Sequence, residues 1–234
     1  MLQLRGQTGW DVTAFILQTV LTLLTGGILV AQANGYDIDF RTLAVEKTGL
    51  LVLDVQPASA QVFVDEQELF ERNGERVRQL LPGPVRIQVT NADYISWNHF
   101  AVIDSGLTKV FSKVRLFFKE PLIIRTRSVT KNEFLSPFID SSLRLDQGEI
   151  WRIQGETARL ITRLSRPILS ATMLDEGHVV FQIEREIHIL DLDGSNDINL
   201  LTLESDRAIQ LISLYGGNVL GVLSEGILTE YQIS

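Results

Sequence analysis

The sequence predicts an all-β fold behind one N-terminal transmembrane helix, with a small β-sandwich followed by a region of β repeats. Three observations predict it. An uncharged apolar run occupies residues 12–33, an alternation of period two begins near residue 49, and self-similarity at an offset of about 40 residues marks the C-terminal part.

The apolar run, VTAFILQTVLTLLTGGILVAQA, carries no charge from Val12 to Ala33. About 20 mainly apolar residues suffice to cross a bilayer as a helix. Trp10 precedes the run at a position suited to the headgroup layer, and Asp37, Asp39 and Arg41 resume the charge after it. Residues 1–11 are then a short cytoplasmic tail, 12–33 the transmembrane contact with the membrane, and 34–47 a membrane-proximal linker. Arg5 precedes the span while Arg41 and Lys47 follow it, so the positive-inside bias is thin. A cleaved secretory signal is the competing reading, because Ala31, Gln32 and Ala33 form the small-x-small step that signal peptidase accepts. Both readings place the remaining domains outside the cytoplasm, and the uncleaved reading makes this a single-pass protein of the cell membrane.

Composition narrows the partners. The 234 residues include 29 acidic and 21 basic side chains, a formal net charge of -8, which disfavours nucleic acid because phosphate backbones are held by clustered cations. There is no cysteine, so disulfides and thiolate metal sites are excluded.

Beyond the span, Val85, Ile87 and Val89 alternate with Arg86, Gln88 and Thr90. Similar runs occur at residues 49–56, 60–66, 96–103 and 107–117, each bounded by Pro, Gly, Asn or Asp. Short strands at this spacing suggest a sandwich or barrel. In the last run Val110, Val114 and Leu116 are expected to face inward, with Lys109, Lys113 and Arg115 in water.

The segments GLLVLDVQPASAQVFVDEQ, LLPGPVRIQVTNADYISW and SGLTKVFSKVRLF together resemble a PEGA domain. The Pro-x-Gly-Ala step of that family reads Pro57, Ala58, Ser59, Ala60 here, without the glycine. The resemblance implies a small extracytoplasmic β-sandwich over residues 48–117 that serves as a noncatalytic binding or spacer module of the cell envelope. Tyr94 and Trp97 are its candidate ligand-binding residues, since aromatic faces pack on sugar rings, although packing in the core or rim is the commoner fate of such side chains.

A connector with some strand content is expected at 118–140, and repeats at 141–234. GHVVFQIEREIHIL begins at Gly177 and GNVLGVLSEGILTE at Gly217, an offset of 40 that places Val179 on Val219, Ile183 on Leu223 and Ile187 on Ile227. A fainter copy, SLRLDQGEIWRI, begins at Ser142. The stretch 166–196 resembles a blade of the TolB or WD40-like β-propeller class. Between two and three repeats are too few for a closed ring of 4 to 8 blades, so an incomplete propeller with exposed edges, prone to self-association, is expected.

Catalytic signatures are not apparent. His99, His178 and His188 lack the spacing of paired metal ligands, and no nucleophile elbow or phosphate-cradling glycine loop occurs. Asp191 and Asp193 are weak metal candidates in a stretch loosely like a calcium loop. Position twelve counted from Asp191 is Thr202 rather than Glu, so an inter-strand turn is the favoured reading. No cofactor is expected. Two functions follow: a noncatalytic, membrane-anchored envelope module that binds glycan, peptide or protein, or a propeller-type ligand sensor or hydrolase accessory. A polar pocket lined from more than one repeat is the feature that favours the second.

Overall fold

The computed structural model describes residues 9–39, 44–69, 76–129, 140–207 and 209–234. These form one apolar helix followed by twenty strands, in the order α1 and β1 to β20. The helix α1 spans Gly9–Ala33, and its stretch Thr13–Ala33 is long and apolar enough to cross a membrane. Its large side chains, including Leu17, Leu21, Leu24 and Leu29, are exposed. An apolar surface of this kind is stable only in an apolar surround. By Cα proximity the chain divides into two compact units, Met1–Val52 with Val77–Val85 and Val102–Val110, and Leu53–Arg76 with Arg86–Ala101 and Phe111–Ser234.

The stretch expected to be a linker is folded over its described part. Strands β1 (Tyr36–Asp39) and β2 (Ala44–Lys47) pair antiparallel, Tyr36 opposite Lys47 and Ile38 opposite Val45. Next come β3 (Gly49–Gln56), β4 (Gln61–Val64), β5 (Gln67–Leu69), β6 (Arg76–Leu80), β7 (Gly83–Thr90), β8 (Trp97–Ile103) and β9 (Thr108–Arg115). They form two sheets, of order β6-β3-β9 and β5-β4-β7-β8. Alternate residues of β3 and β7 are buried, Leu51, Leu53 and Val55 in one and Val85, Ile87 and Val89 in the other, as a sheet with one covered face requires. Residues 57–60 all keep negative φ, so Ser59 sits there without backbone strain.

Strand β9 departs from the expected facing. Val114 and Leu116 are buried, but Val110 is 57% exposed. Lys113 has φ of 69°, and Phe111, rather than Val110, is the residue upstream that is half-buried. A residue in the left-handed region breaks the strict alternation of a strand, and one unit of slip exchanges its faces.

The repeat region consists of three antiparallel sheets. The first comprises β11 (Leu143–Asp146), β12 (Glu149–Gln154) and β13 (Thr157–Arg163). The second is a meander of β14 (Ser170–Met173), β15 (His178–Ile183), β16 (Glu186–Asp191) and β17 (Ile198–Thr202). The third has the order β10-β20-β19-β18, built from β18 (Gln210–Leu214), β19 (Val219–Ser224), β20 (Ile227–Gln232) and an upstream strand, β10 (Leu122–Ser128). None of these sheets closes into a barrel. The segment expected to be a connector thus supplies the strand that covers the edge of β20, with Thr126 opposite Thr229 and Ser128 opposite Ile227.

The middle sheet is buried on both faces. Val180, Ile187 and Ile189 pack with Leu211, Leu220 and Val222 of the third sheet, whereas Val179, Phe181 and Ile183 pack with Leu143, Ile150 and Ile161 of the first. The repeat offset needs one correction. Ile183 faces Glu186 across the turn of β15 and β16, and Ser224 faces Ile227 across that of β19 and β20, so equivalent residues lie 224 minus 183, or 41, apart. Ile187 therefore corresponds to the buried Leu228, not to Ile227, which is 48% exposed.

Candidate functional site

Two groups of polar side chains concentrate in the larger unit. The first surrounds His178, which opens β15 directly after an acidic turn. Asp175 accepts a hydrogen bond from the Gly177 N–H at 2.7 Å, and its Oδ1 lies 2.8 Å from His178 Nδ1. On the other side of the ring, His178 Nε2 is 3.4 Å from Asp191 Oδ1 at the end of β16. Arg115 of β9 reaches Asp175 Oδ2 at 3.0 Å and donates to the Gly216 carbonyl at 3.3 Å. At the far end the Trp97 indole N–H donates to Asp191 Oδ2 at 2.8 Å, and the Asn196 amide donates to the same oxygen at 2.9 Å. One chain of contacts, Arg115, Asp175, His178, Asp191 and Trp97, therefore joins β8 and β9 to the middle repeat sheet.

Its two carboxylates are pulled in opposite directions. Burial pushes Asp175 up, but the His178 hydrogen bond, the His178 charge, the Gly177 N–H and Arg115 outweigh it and hold the carboxyl below its ordinary range. For Asp191 burial wins over the bonds from Trp97 and Asn196, and its pKa is raised. His178 holds Asp175 by a hydrogen bond at 2.8 Å but stands 3.4 Å from Asp191, so the lowering influence of the imidazole falls mainly on Asp175. Both ring nitrogens of His178 face carboxylates and the side chain is 3% exposed, so the cluster is built as a clamp between elements.

The residues singled out in the sequence take defined places here. Trp97 is 4% exposed, parallel to His99 at 5.3 Å and edge-on to Phe111 at 5.9 Å. Tyr94 stacks on Phe118 at 4.6 Å, across an isolated antiparallel bridge between the same two residues. Tyr94 also lines a cavity of about 250 Å³ with Gln56, Pro57, Arg115 and Asn218. The structure does not bring Tyr94 and Trp97 to one cavity: Trp97 lines another, of about 160 Å³, with Phe111, His178 and Asp191. Asp193 accepts from the Ser195 N–H at 2.9 Å and the Ser195 hydroxyl at 2.6 Å, which spends its Oδ1 on the turn. Gly194 and Asn196 adopt the positive φ such a turn needs. Among the described residues no group of three or more His, Asp or Glu side chains could hold a metal.

The second group lies where the leading ends of the three repeat sheets meet. A cavity of about 360 Å³ is lined by Asp140 and Ser141 just before β11, Thr172 and Met173 of β14, and Leu211, Ile212 and Ser213 of β18. Asp140 is fixed in place: its Oδ1 accepts from the Ser142 N–H at 2.8 Å and the Ser142 hydroxyl at 2.7 Å, and its own N–H donates to the Ala171 carbonyl at 3.3 Å. Ser213 donates its hydroxyl to the Leu174 carbonyl. One carboxylate, three hydroxyls and an apolar floor of Leu211 and Met173 suit a small ligand that carries hydroxyl or amine donors. Sequence reading did not single out Asp140, Thr172 or Ser213, nor the Arg115, Asp175 and His178 contacts. An acidic residue two positions before a Ser at a strand start is the one local signal, and it fits any turn.

No protein-family model and no curated protein sequence matches the chain. What defines its class is therefore the fold, mostly β with one apolar N-terminal helix among the described residues.

Proposed function

We propose that this chain is a single-pass, propeller-type ligand sensor of the cell envelope, with a PEGA-like sandwich outside the membrane and an incomplete propeller of three blades that takes a small polar ligand where the blades meet. The observation that carries the reading is the cavity lined by Asp140 just ahead of the first repeat sheet, Thr172 of the second and Ser213 of the third. A pocket shared between repeats is what a sensor needs and what a pure spacer lacks. The apolar helix supports the anchored placement, and the clamp around His178 supports a stiff connection between β9 and the middle blade. The proposed ligand class is a glycan end or another hydroxyl-rich or amine-bearing group, because Asp140 presents a fixed acceptor beside hydroxyls.

Saturation-transfer NMR on the full chain in detergent, with a panel of envelope monosaccharides and disaccharides, tests this. Binding is expected for at least one sugar and is expected to be lost in Asp140→Asn, which keeps the Oδ1 acceptor for Ser142 but removes the charge. Undiminished saturation transfer in that variant rejects the pocket.

A further inference from the structure

The smaller unit shows how the helix is coupled to the β structure, and the coupling exposes a surface of its own. The helix ends at Ala33, and two residues later the Gly35 carbonyl accepts both the Thr48 N–H at 2.8 Å and the Thr48 hydroxyl at 2.9 Å. Thr48 is 8% exposed, and its carbonyl in turn accepts the Gly106 N–H at 3.0 Å. The Ser105 hydroxyl donates to the Lys47 carbonyl at 2.9 Å, and Leu50 N–H to the Leu107 carbonyl at 2.9 Å. Gly49 permits this approach, since a Cβ there would stand 2.5 Å from the Asp104 carbonyl oxygen. The turn between β8 and β9, residues 104–107, is thus fastened to the exit of the helix through Thr48. The β1 and β2 hairpin is an excursion whose ends are closed by the same bonds.

Asp104, Ser105 and Gly106 of that turn are exposed, and Leu107 at its end with the flanking strand residues adds an apolar edge beside them. Leu107 is 62% exposed, Val110 57% and Val102 57%, and Lys109 beside them is exposed as well. On the hairpin, Val45 is 60% and Tyr36 41% exposed, and with Ile28 and Ala31 of the helix they line an apolar groove of about 290 Å³. Aliphatic tips flanked by lysine, with a tyrosine nearby, are the composition of an interfacial membrane contact.

We infer that the β8 and β9 turn, led by Leu107, is a second membrane contact that rests in the headgroup and upper acyl layer of the leaflet from which the helix emerges. The occupant is the phospholipid surface, because the turn is bonded to the end of the segment that crosses it. A 25-residue helix rises about 37 Å, against a hydrocarbon thickness of about 30 Å, so the helix end and the turn fastened to it fall at the interfacial layer. Lys47 and Lys109 meet the anionic headgroups there, and acidic Asp37 and Glu46 pair on the opposite face of the hairpin from Tyr36 and Val45. This inference rests on the anchored reading of the helix.

The chain has no cysteine, so single labels are clean. An environment-sensitive fluorophore is placed on Leu107→Cys or, separately, on mid-helix Leu23→Cys, and the full chain is reconstituted in vesicles of phosphatidylcholine and phosphatidylglycerol. Nitroxide lipids labelled high on the acyl chain are expected to quench the Leu107→Cys label, with a blue shift relative to the free dye. Nitroxides deep in the acyl chain are expected to quench the Leu23→Cys label. Quenching at Leu23→Cys with a water-exposed, unquenched label at Leu107→Cys overturns the turn contact and leaves the anchor standing. Loss of quenching at both sites overturns the anchor and the turn contact together.

Discussion

Strands β15 and β9 have similar lengths and are both rich in valine, yet they are buried in opposite ways. Every residue of β15, from His178 to Ile183, is buried, because the sheets on either side supply a core to each face. In β9 only Val114 is fully buried, and the two ends of the strand obey different phases. A strand covered on both faces has no solvent side for a phase error to reveal, whereas a strand covered on one face can exchange its sides at a single residue.

The largest expected effect follows from the doubly buried strand. Phe181→Ala empties a site of 0% exposure and is expected to cost about 3–5 kcal/mol, while Val110→Ala on the exposed side of β9 is expected to stay within about 0.5 kcal/mol. Chemical denaturation of the full chain in detergent, followed by far-ultraviolet circular dichroism, measures both. Equal losses at the two positions break the comparison.

A smaller effect is expected where β9 meets β8. Trp97→Phe keeps an aromatic ring against Phe111 but removes the N–H that Asp191 accepts, and a buried acceptor deprived of one donor costs about 1–3 kcal/mol. The Asn196 amide remains on Asp191, which holds the loss toward the lower end. The same denaturation measurement checks it, and a neutral result shows that the indole N–H contributes nothing to the clamp.

Much of the β pattern was legible in the sequence for a local reason. Strands β3 and β7 announce themselves through alternation, and β15 and β16 through an apolar run around a two-residue turn. What escaped was nonlocal or one residue wide. The partner of β20 is β10, about a hundred residues upstream, and nothing in LIIRTRS names its partner. The repeat offset of 40 instead of 41 aligned apolar residues correctly by type but not by face, since Ile227 and Leu228 are alike in character and opposite in exposure. The candidate site was less legible still. Asp140, Thr172 and Ser213 are ordinary strand and turn residues in sequence, and only the meeting of three sheets makes them neighbours. Trp97 was visible as a notable side chain, but whether its face or its N–H does the binding depends on Asp191, 94 residues away.

The smallest effect probes the cause of the phase change in β9. Lys113 holds φ of 69°, a conformation that costs a side-chain-bearing residue about 1–2 kcal/mol and a glycine almost nothing. Its ammonium pairs with Glu176, an exposed contact that any replacement removes. Comparing two replacements therefore cancels the ion pair and isolates the backbone. Lys113→Gly relaxes the positive φ, whereas Lys113→Val adds a β-branched side chain that tolerates it least, so the glycine variant is expected to be the more stable by about 1–2 kcal/mol. A regular strand would give the reverse order, because valine favours extended backbone and glycine weakens it. The sign of the difference thus separates a strand that switches faces at Lys113 from one that alternates without interruption, and with it the reason Val110 is exposed while Val114 is buried.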